Sequence, residues 1–344
     1  MKFAVGYQFR DNADERPFIE IVNKYKDSIA EIYFPWLDGA SGRASPVNRR
    51  GYINWEGQEQ LISDLKFFKK IGIKTDLLFN ANCYGQYAMS SFLENNVNSI
   101  LDYLDIVIGG VDIVTTTSLA IAHAVKQRKS DIEIRASVNM RIGTVKGMEY
   151  VAHLFDSFYV QREFNREFSI LEELTNWARC NGKKLYMLAN SGCMNYCSGQ
   201  TFHDNMVAHG NEIEEIEPMA NWNPHMCWKY LNNEENWVCV LQNSWVRPED
   251  IYRYEKFFTV VKLATRMHAL PGMVIGAYVS GRHYGNLLDL FEPGFGPVFA
   301  PYVIDNTRFP KDWFDKVTSC NKKCHMCDYC KNVLKQVIIN TEDF

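Results

Sequence analysis

Two rhythms of apolar and polar positions alternate along most of the chain. Short runs dense in β-branched and aromatic residues read as buried strands: Phe3–Gln8, Glu31–Pro35, Lys74–Phe79, Asp112–Thr116, Glu133–Val138, Ser157–Val160, Leu185–Ala189 and Phe258–Leu263. Between them, Gly57–Ile71, Met89–Leu104, Ser118–Lys126, Ser169–Arg179 and Pro248–Tyr254 carry apolar residues at helical spacing. The last opens as Arg247-Pro-Glu-Asp, with proline at a first helical position and acids in the first turn. Eight strand–helix units predict an α/β fold, a TIM-like (β/α)8 barrel of the usual size of about 250 residues. A doubly wound open sheet is the alternative, but neither G-x-G-x-x-G nor a P-loop follows the first strand. The barrel occupies residues 1–290 in this reading. A small cysteine-rich, metal-binding extension fills 291–344, entered through Glu292-Pro-Gly-Phe-Gly-Pro-Val298.

Cysteine spacing adds chemistry to this frame. Cys320, Cys324, Cys327 and Cys330 crowd into one short polar segment, among Asn321, Lys322, Lys323, His325 and Asp328. Disulfides between such close neighbours are strained, whereas a tetrathiolate suits zinc or iron. The Cys324-x2-Cys327-x2-Cys330 run favours iron–sulfur. Ligation would also stabilise a tail too small to fold on apolar burial alone, by on the order of 10 kcal/mol. A second set comprises Cys193, Cys197, Cys227 and Cys239, on loops and strand ends as a metal-binding foursome. Cys239 taken alone, within Trp237-Val-Cys-Val-Leu241, reads as a buried hydrophobe. Cys83 and Cys180 have no metal spacing, and Cys180 reads as ordinary helix packing. Trp222, Trp228, Trp237 and Trp245 flank the second set and suit a wall that excludes water.

Ten cysteines without a signal-peptide pattern at Met1-Lys-Phe-Ala-Val predict a reducing, cytoplasmic setting. No apolar run is long enough for a transmembrane helix. A net charge of -4 gives no footprint for nucleic acid. The basic stretch Arg43–Arg50 is short and reads as a solvated loop.

On a barrel, functional groups gather after the strand C-termini. There fall Asn139 and Arg141, Gln161-Arg162-Glu163, Asn190 with the first cysteine pair, and Arg266, with Lys262 inside the last strand. Arg162, Lys262 and Arg266 on one rim suit an anionic substrate, since the guanidinium fork matches carboxylate. A structural ion-pair network of Arg162–Glu163 and Lys262 is the competing explanation. His203 is either a proton donor or a solvated loop histidine. Serine-hydrolase and zincin motifs are lacking. Cys320-x3-Cys324-x2-Cys327 has the spacing of radical S-adenosylmethionine enzymes, but it follows the last strand rather than the first.

From about Asp112 to Tyr284 the chain resembles the U32, collagenase-like peptidase family. The marks are Gln161-Arg162-Glu163-Phe-Asn165, and Asn190-Ser-Gly-Cys193-Met-Asn-Tyr-Cys197 with His203 downstream. Ser244-Trp-Val-Arg247-Pro248-Glu249-Asp250 and Val261-Lys262-Leu-Ala-Thr-Arg266 complete them, the latter similar to the family's Lys-Ile-Glu-Gly-Arg. The resemblance implies a 4Fe-4S cluster on Cys193, Cys197, Cys227 and Cys239. It also implies an oxygen-independent hydroxylase activity, as in relatives of ubiquinone synthesis and RNA modification, with prephenate as anionic co-substrate. Arg162, Glu163, His203, Lys262 and Arg266 are then the expected catalytic residues. Ala264 and Thr265 replace the Glu-Gly of the signature, and the terminal four-cysteine motif lies outside the better-known hydroxylases. The alternative functions are a peptidase, or a non-enzymatic role as a zinc-stabilised binding protein or a partner subunit of a paralogue.

Overall fold

In a computed structural model the structure describes residues 1–9, 15–37, 39–43, 54–217 and 219–343. Of the basic stretch, only Arg43 lies among them. Eight parallel strands close a barrel in sequence order: β1 (Lys2–Gly6), β2 (Ile29–Pro35), β3 (Lys74–Phe79), β4 (Ile113–Thr116), β5 (Glu133–Ala136), β6 (Ser157–Tyr159), β7 (Lys184–Leu188) and β8 (Val260–Lys262). Closure comes from β1 pairing with β8, Ala4 opposite Lys262. The expected TIM-like barrel is therefore the fold, each strand within a few residues of its predicted bounds.

Three of the predicted helices open on a local side-chain cap. Asn54, Ser90 and Ser118 each accept a hydrogen bond from a first-turn amide, opening Trp55–Lys70, Ser91–Ile108 and Leu119–Arg128. Pro248–Tyr254 winds as a 3-10 helix. The apolar faces of these elements join one continuous core with the outward faces of the strands.

The lumen of the barrel is polar. Arg135 on β5 donates to Glu31 on β2 at 2.7 and 3.0 Å, and these strands are not neighbours, so the pair spans the interior. Glu133 accepts from Arg135 at 2.8 Å, and Asp76 lies 3.7 Å away. The Arg135 guanidinium also lies 3.6 Å from the centroid of the Tyr186 ring. With Arg135 fully buried, breaking such a network costs about 3–5 kcal/mol, because the remaining charges stay desolvated.

Between β7 and β8 the chain forms a rim excursion of short helices: Gln200–Ala208, Gly210–Glu214, Met226–Leu231 and Val238–Leu241. Beyond β8 come a helix, Pro271–Ser280, and an antiparallel pair, β9 (Tyr302–Ile304) with β10 (Ile338–Asn340). The tail helices Trp313–Ser319 and Tyr329–Val337 bury Trp313, Phe314, Val317, Val333 and Val337 against the barrel's core. Trp313 stacks between Trp245 and Tyr329, with centroids 6.0 and 6.2 Å away. Among the described residues no helix is long and apolar enough to cross a membrane.

Candidate active site and thiol centres

The end of β7 is clamped by one side chain. Asn190 donates to the carbonyls of Ala264 and Leu290 at 3.0 and 2.9 Å, and accepts from the Ala264 amide at 2.6 Å. Residues 190–192 then pair with Glu292, through Glu292 N to Asn190 O at 3.2 Å and Gly192 N to Glu292 O at 3.1 Å. Gly192 is needed there, since a Cβ would sit 2.0 Å from the Pro293 carbonyl oxygen. Asn243 completes the frame, donating to Gly192 O and accepting from Asn195 N. The Cys193–Cys197 loop is thus fixed to β7, β8 and the start of the tail together.

That loop borders a cavity of about 610 Å³. Cys193, Cys197 and Cys227 line it, with His203, His225, Asp204, Arg43, Arg162 and Glu292. Cys227 comes from the first turn of Met226–Leu231; burial, with the Cys193 and Cys197 thiols nearby, pushes its own thiol up. His203 lies on Gln200–Ala208, its ring centroid 5.1 Å from that of His225. Burial first, and His225 second, hold His203 below the ordinary imidazole value, so it is neutral near pH 7.

Two arginines, Arg43 and Arg162, line the cavity. Arg43 pairs with Glu292 at 2.8 Å. Burial opposes the Arg43 charge, but Glu292 and Cys193 outweigh it and hold its pKa above the ordinary value. Arg162 is buried, 3.8 Å from Glu163, and its Nη2 has no hydrogen-bond partner. Arg266 is half-buried, donating from Nη2 to Ser41 at 3.3 Å while Nη1 has no partner among the described residues, and desolvation pulls it down to about 10. A buried guanidinium with a spare donor, as Arg162 presents on the cavity, suits an anion.

Not every predicted site residue meets this cavity. Glu163, Lys262 and Arg266 are not among its lining residues. Lys262 sits in the lumen with Nζ 3.9 Å from the Tyr33 ring centroid, and burial lowers it to about 8. Of the four tryptophans, Trp228 lines the cavity; Trp237 and Trp245 stack in the core on Phe299 and Phe291, and Trp222 is half exposed. Cys180 ends its helix exposed rather than packed. Cys239 lies in Val238–Leu241, a helix rather than a strand. Its thiol faces Tyr230 and Cys324, because this helix packs on Tyr329–Val337 of the tail.

The four tail cysteines are neighbours. Cys320 caps Trp313–Ser319, Cys324 opens a 3-10 turn that Cys327 ends, and Cys330 lies in the first turn of Tyr329–Val337. Burial, reinforced by Cys324, Cys320 and Cys327 and opposed by Arg166, pushes the Cys330 thiol up to about 11. Arg166 stacks on Trp245 at 4.4 Å, a buried cation beside the sulfurs. Among the described residues no three Cys, His, Asp or Glu groups already converge as a metal site. In donor type both sets fit a thiolate-ligated centre, three thiols on the cavity and four in the tail.

These features define a class: a closed (β/α)8 barrel whose C-terminal rim carries a thiol-lined cavity with a cationic wall. No family model matches the chain. An uncharacterized protease of Methanocaldococcus jannaschii is 24% identical over 325 residues, covering 93% of this chain and 92% of that protein. A solved U32 peptidase shares the fold, with a TM-score of 0.52 and 18% identity, covering 76% of this chain and 92% of the other. Both likenesses support the resemblance to the U32 peptidase family that the rim motifs carry.

Proposed function

We propose that this protein is an iron–sulfur enzyme of oxygen-independent hydroxylase type, acting with a small anionic co-substrate such as prephenate. The observation that carries the reading is one cavity joining three thiols, Cys193, Cys197 and Cys227, to Arg43 and to Arg162 with its spare Nη2 donor. Those three cysteines would hold a 4Fe-4S cluster, which when bound supplies electron transfer. Arg162 binds a carboxylate through the unpartnered donor, and Arg43, tethered to Glu292, sets the charge of the wall. Neutral His203 takes or returns a proton at a ring nitrogen. Phe291 and Trp228, which line the same cavity, give it an apolar wall. Arg266, behind Glu292, and Lys262, in the lumen, act on the rim's field rather than on the ligand. Cys320, Cys324, Cys327 and Cys330 would hold a second centre, iron–sulfur or zinc.

Oxygen-free purification followed by iron, sulfide, zinc and visible-spectrum measurement tests this. Brown protein with about eight irons and eight sulfides per chain supports two clusters. About four irons with one zinc supports a redox centre on the cavity and a structural one in the tail. Cys193→Ala is expected to lose activity and the cavity's iron while keeping the fold; full activity in that variant, or colourless protein holding zinc alone, overturns the reading. A peptidase is the second reading, favoured by the name of the archaeal relative. Within the cavity, among the described residues, no thiol is hydrogen-bonded to His203 or His225.

A further inference from the structure

A second constellation stands on the same rim, outside the cavity. Cys83 follows β3, in a turn whose next residue, Tyr84, packs on the core and whose Gly85 takes a φ of +55°. The Gly85 amide donates to Cys83 Sγ at 3.4 Å. His209, at the junction of Gln200–Ala208 and Gly210–Glu214, lies against the same turn, its Cε1 3.5 Å from the point a Cβ on Gly85 would occupy, which sets its imidazole beside the sulfur. Glu212, one helical turn on, meets His209 Nδ1 at 2.7 Å. The two elements are tied beside this contact, since Asn82 donates to Asp204 at 3.2 Å. Nucleophile, base and orienting carboxylate therefore stand in sequence: sulfur, imidazole, Glu212.

We propose that Cys83, His209 and Glu212 form a second reactive centre, a thiol nucleophile for acyl transfer from an ester or amide. In such a centre the imidazole takes the thiol proton and the carboxylate fixes the imidazole's tautomer and steadies its charge. Both shifts agree with that division. The neighbouring His209 imidazole, then the Gly85 amide, holds Cys83 below the ordinary thiol value, and the Cys83 thiol and Glu212 carboxylate hold His209 above the ordinary imidazole value. Among the described residues, the charged groups bearing on Cys83 are these two, His209 and Glu212. All three side chains are partly exposed, so a substrate reaches them. Tyr87 and Phe92, exposed with ring centroids 5.1 Å apart, offer an apolar flank immediately after the turn.

The chemistry closes without a further reagent. The thiolate adds to the acyl carbon and a C–S bond forms as the bond to the leaving group breaks. The imidazolium gives its proton to the departing amine or alkoxide. Water then adds to the thioester, the imidazole accepts its proton, and the carboxylic acid leaves as the Cys83 thiol is restored. No step uses iron, so this centre and the cavity succeed or fail separately.

The test is made on the full chain with two probes, iodoacetamide and p-nitrophenyl acetate. Peptide mapping should show Cys83 alkylated at pH 6 at least tenfold faster than the exposed Cys180. p-Nitrophenyl acetate should release a burst of about one nitrophenolate per chain, with an acetyl group mapped to Cys83. Cys83→Ser should abolish the burst, and His209→Gln should remove the pH 6 advantage. Glu212→Gln, a change at a positioning residue, should move the alkylation profile toward that of an ordinary thiol rather than only lower its plateau. Equal alkylation of Cys83 and Cys180 across pH 6–9 in the wild-type chain overturns the proposal without any variant. So does a burst that survives in Cys83→Ser.

Discussion

The rim thiols and the tail thiols rest on supports of different kinds. Cys193 and Cys197 hang from a loop that Asn190, Gly192 and Asn243 bind to β7, β8 and Glu292, with a closed barrel behind it. Cys320, Cys324 and Cys327 are exposed, in turns joining two short helices that pack through Trp313 and Val337. The first set belongs to a scaffold that stands by its own packing and hydrogen bonds. The second sits where thiolate ligation adds most to order. Similar residues thus serve different ends according to what surrounds them.

Removing the metal should break the symmetry between the two sets most sharply. Ligation in small domains contributes on the order of 10 kcal/mol. Chelation is therefore expected to abolish hydrogen-exchange protection around 320–330 while β1–β8 keep theirs; equal protection with and without metal would remove the distinction. Next in size is the lumen. Arg135→Met leaves Glu31 and Asp76 without their cation and should cost about 3–5 kcal/mol in urea unfolding. The iron proposed for the rim should then be lost before any metal of the tail, and the reverse order would mean that the rim does not depend on the barrel.

A pH titration comes third. Burial would raise Glu133, but Arg135, Lys184 and Ser157 outweigh it and lower it to about 2 from 4.5. Its folded value lies below its unfolded one, so its contribution is complete above pH 4.5 and is lost as pH falls toward 2. The loss is on the order of 3 kcal/mol. Glu133→Gln should flatten that part of the stability curve, and an unchanged curve would refute the assignment. The smallest effect is local. Gly192→Ala forces the loop from Pro293 and should cost about 1–3 kcal/mol. Calorimetry checks the stability, and metal analysis should show iron falling from the rim set alone.

The barrel was legible because its strands are short, densely apolar runs such as Lys74–Phe79, and three of its helices open on Asn or Ser caps. The rim was less so. Gln200–Ala208 and Met226–Leu231 have no side-chain cap, and their faces are only partly buried, so neither periodicity nor punctuation marks them. Spacing grouped Cys239 with the rim, yet its helix packs on the tail and turns the thiol toward Cys324. Cys83 carried no local signal, because its partner His209 arrives from the far side of the barrel sequence. The spare donors on Arg162 and Arg266 are properties of packing alone. What tertiary contact decides cannot be read from neighbours in the chain.

Glu292 has a consequence for the order of synthesis. Residues 291–297, which wall the cavity and neutralise Arg43, leave the ribosome after all eight strands have been made. A nascent chain with its barrel already closed presents Cys193 and Cys197 on an open shelf, beside an arginine that has yet to meet Glu292. A carrier delivering an inorganic centre meets that shelf early and a walled chamber late. If the rim thiols take up a centre as proposed, the interval between the eighth strand and Glu292 is the natural window for loading.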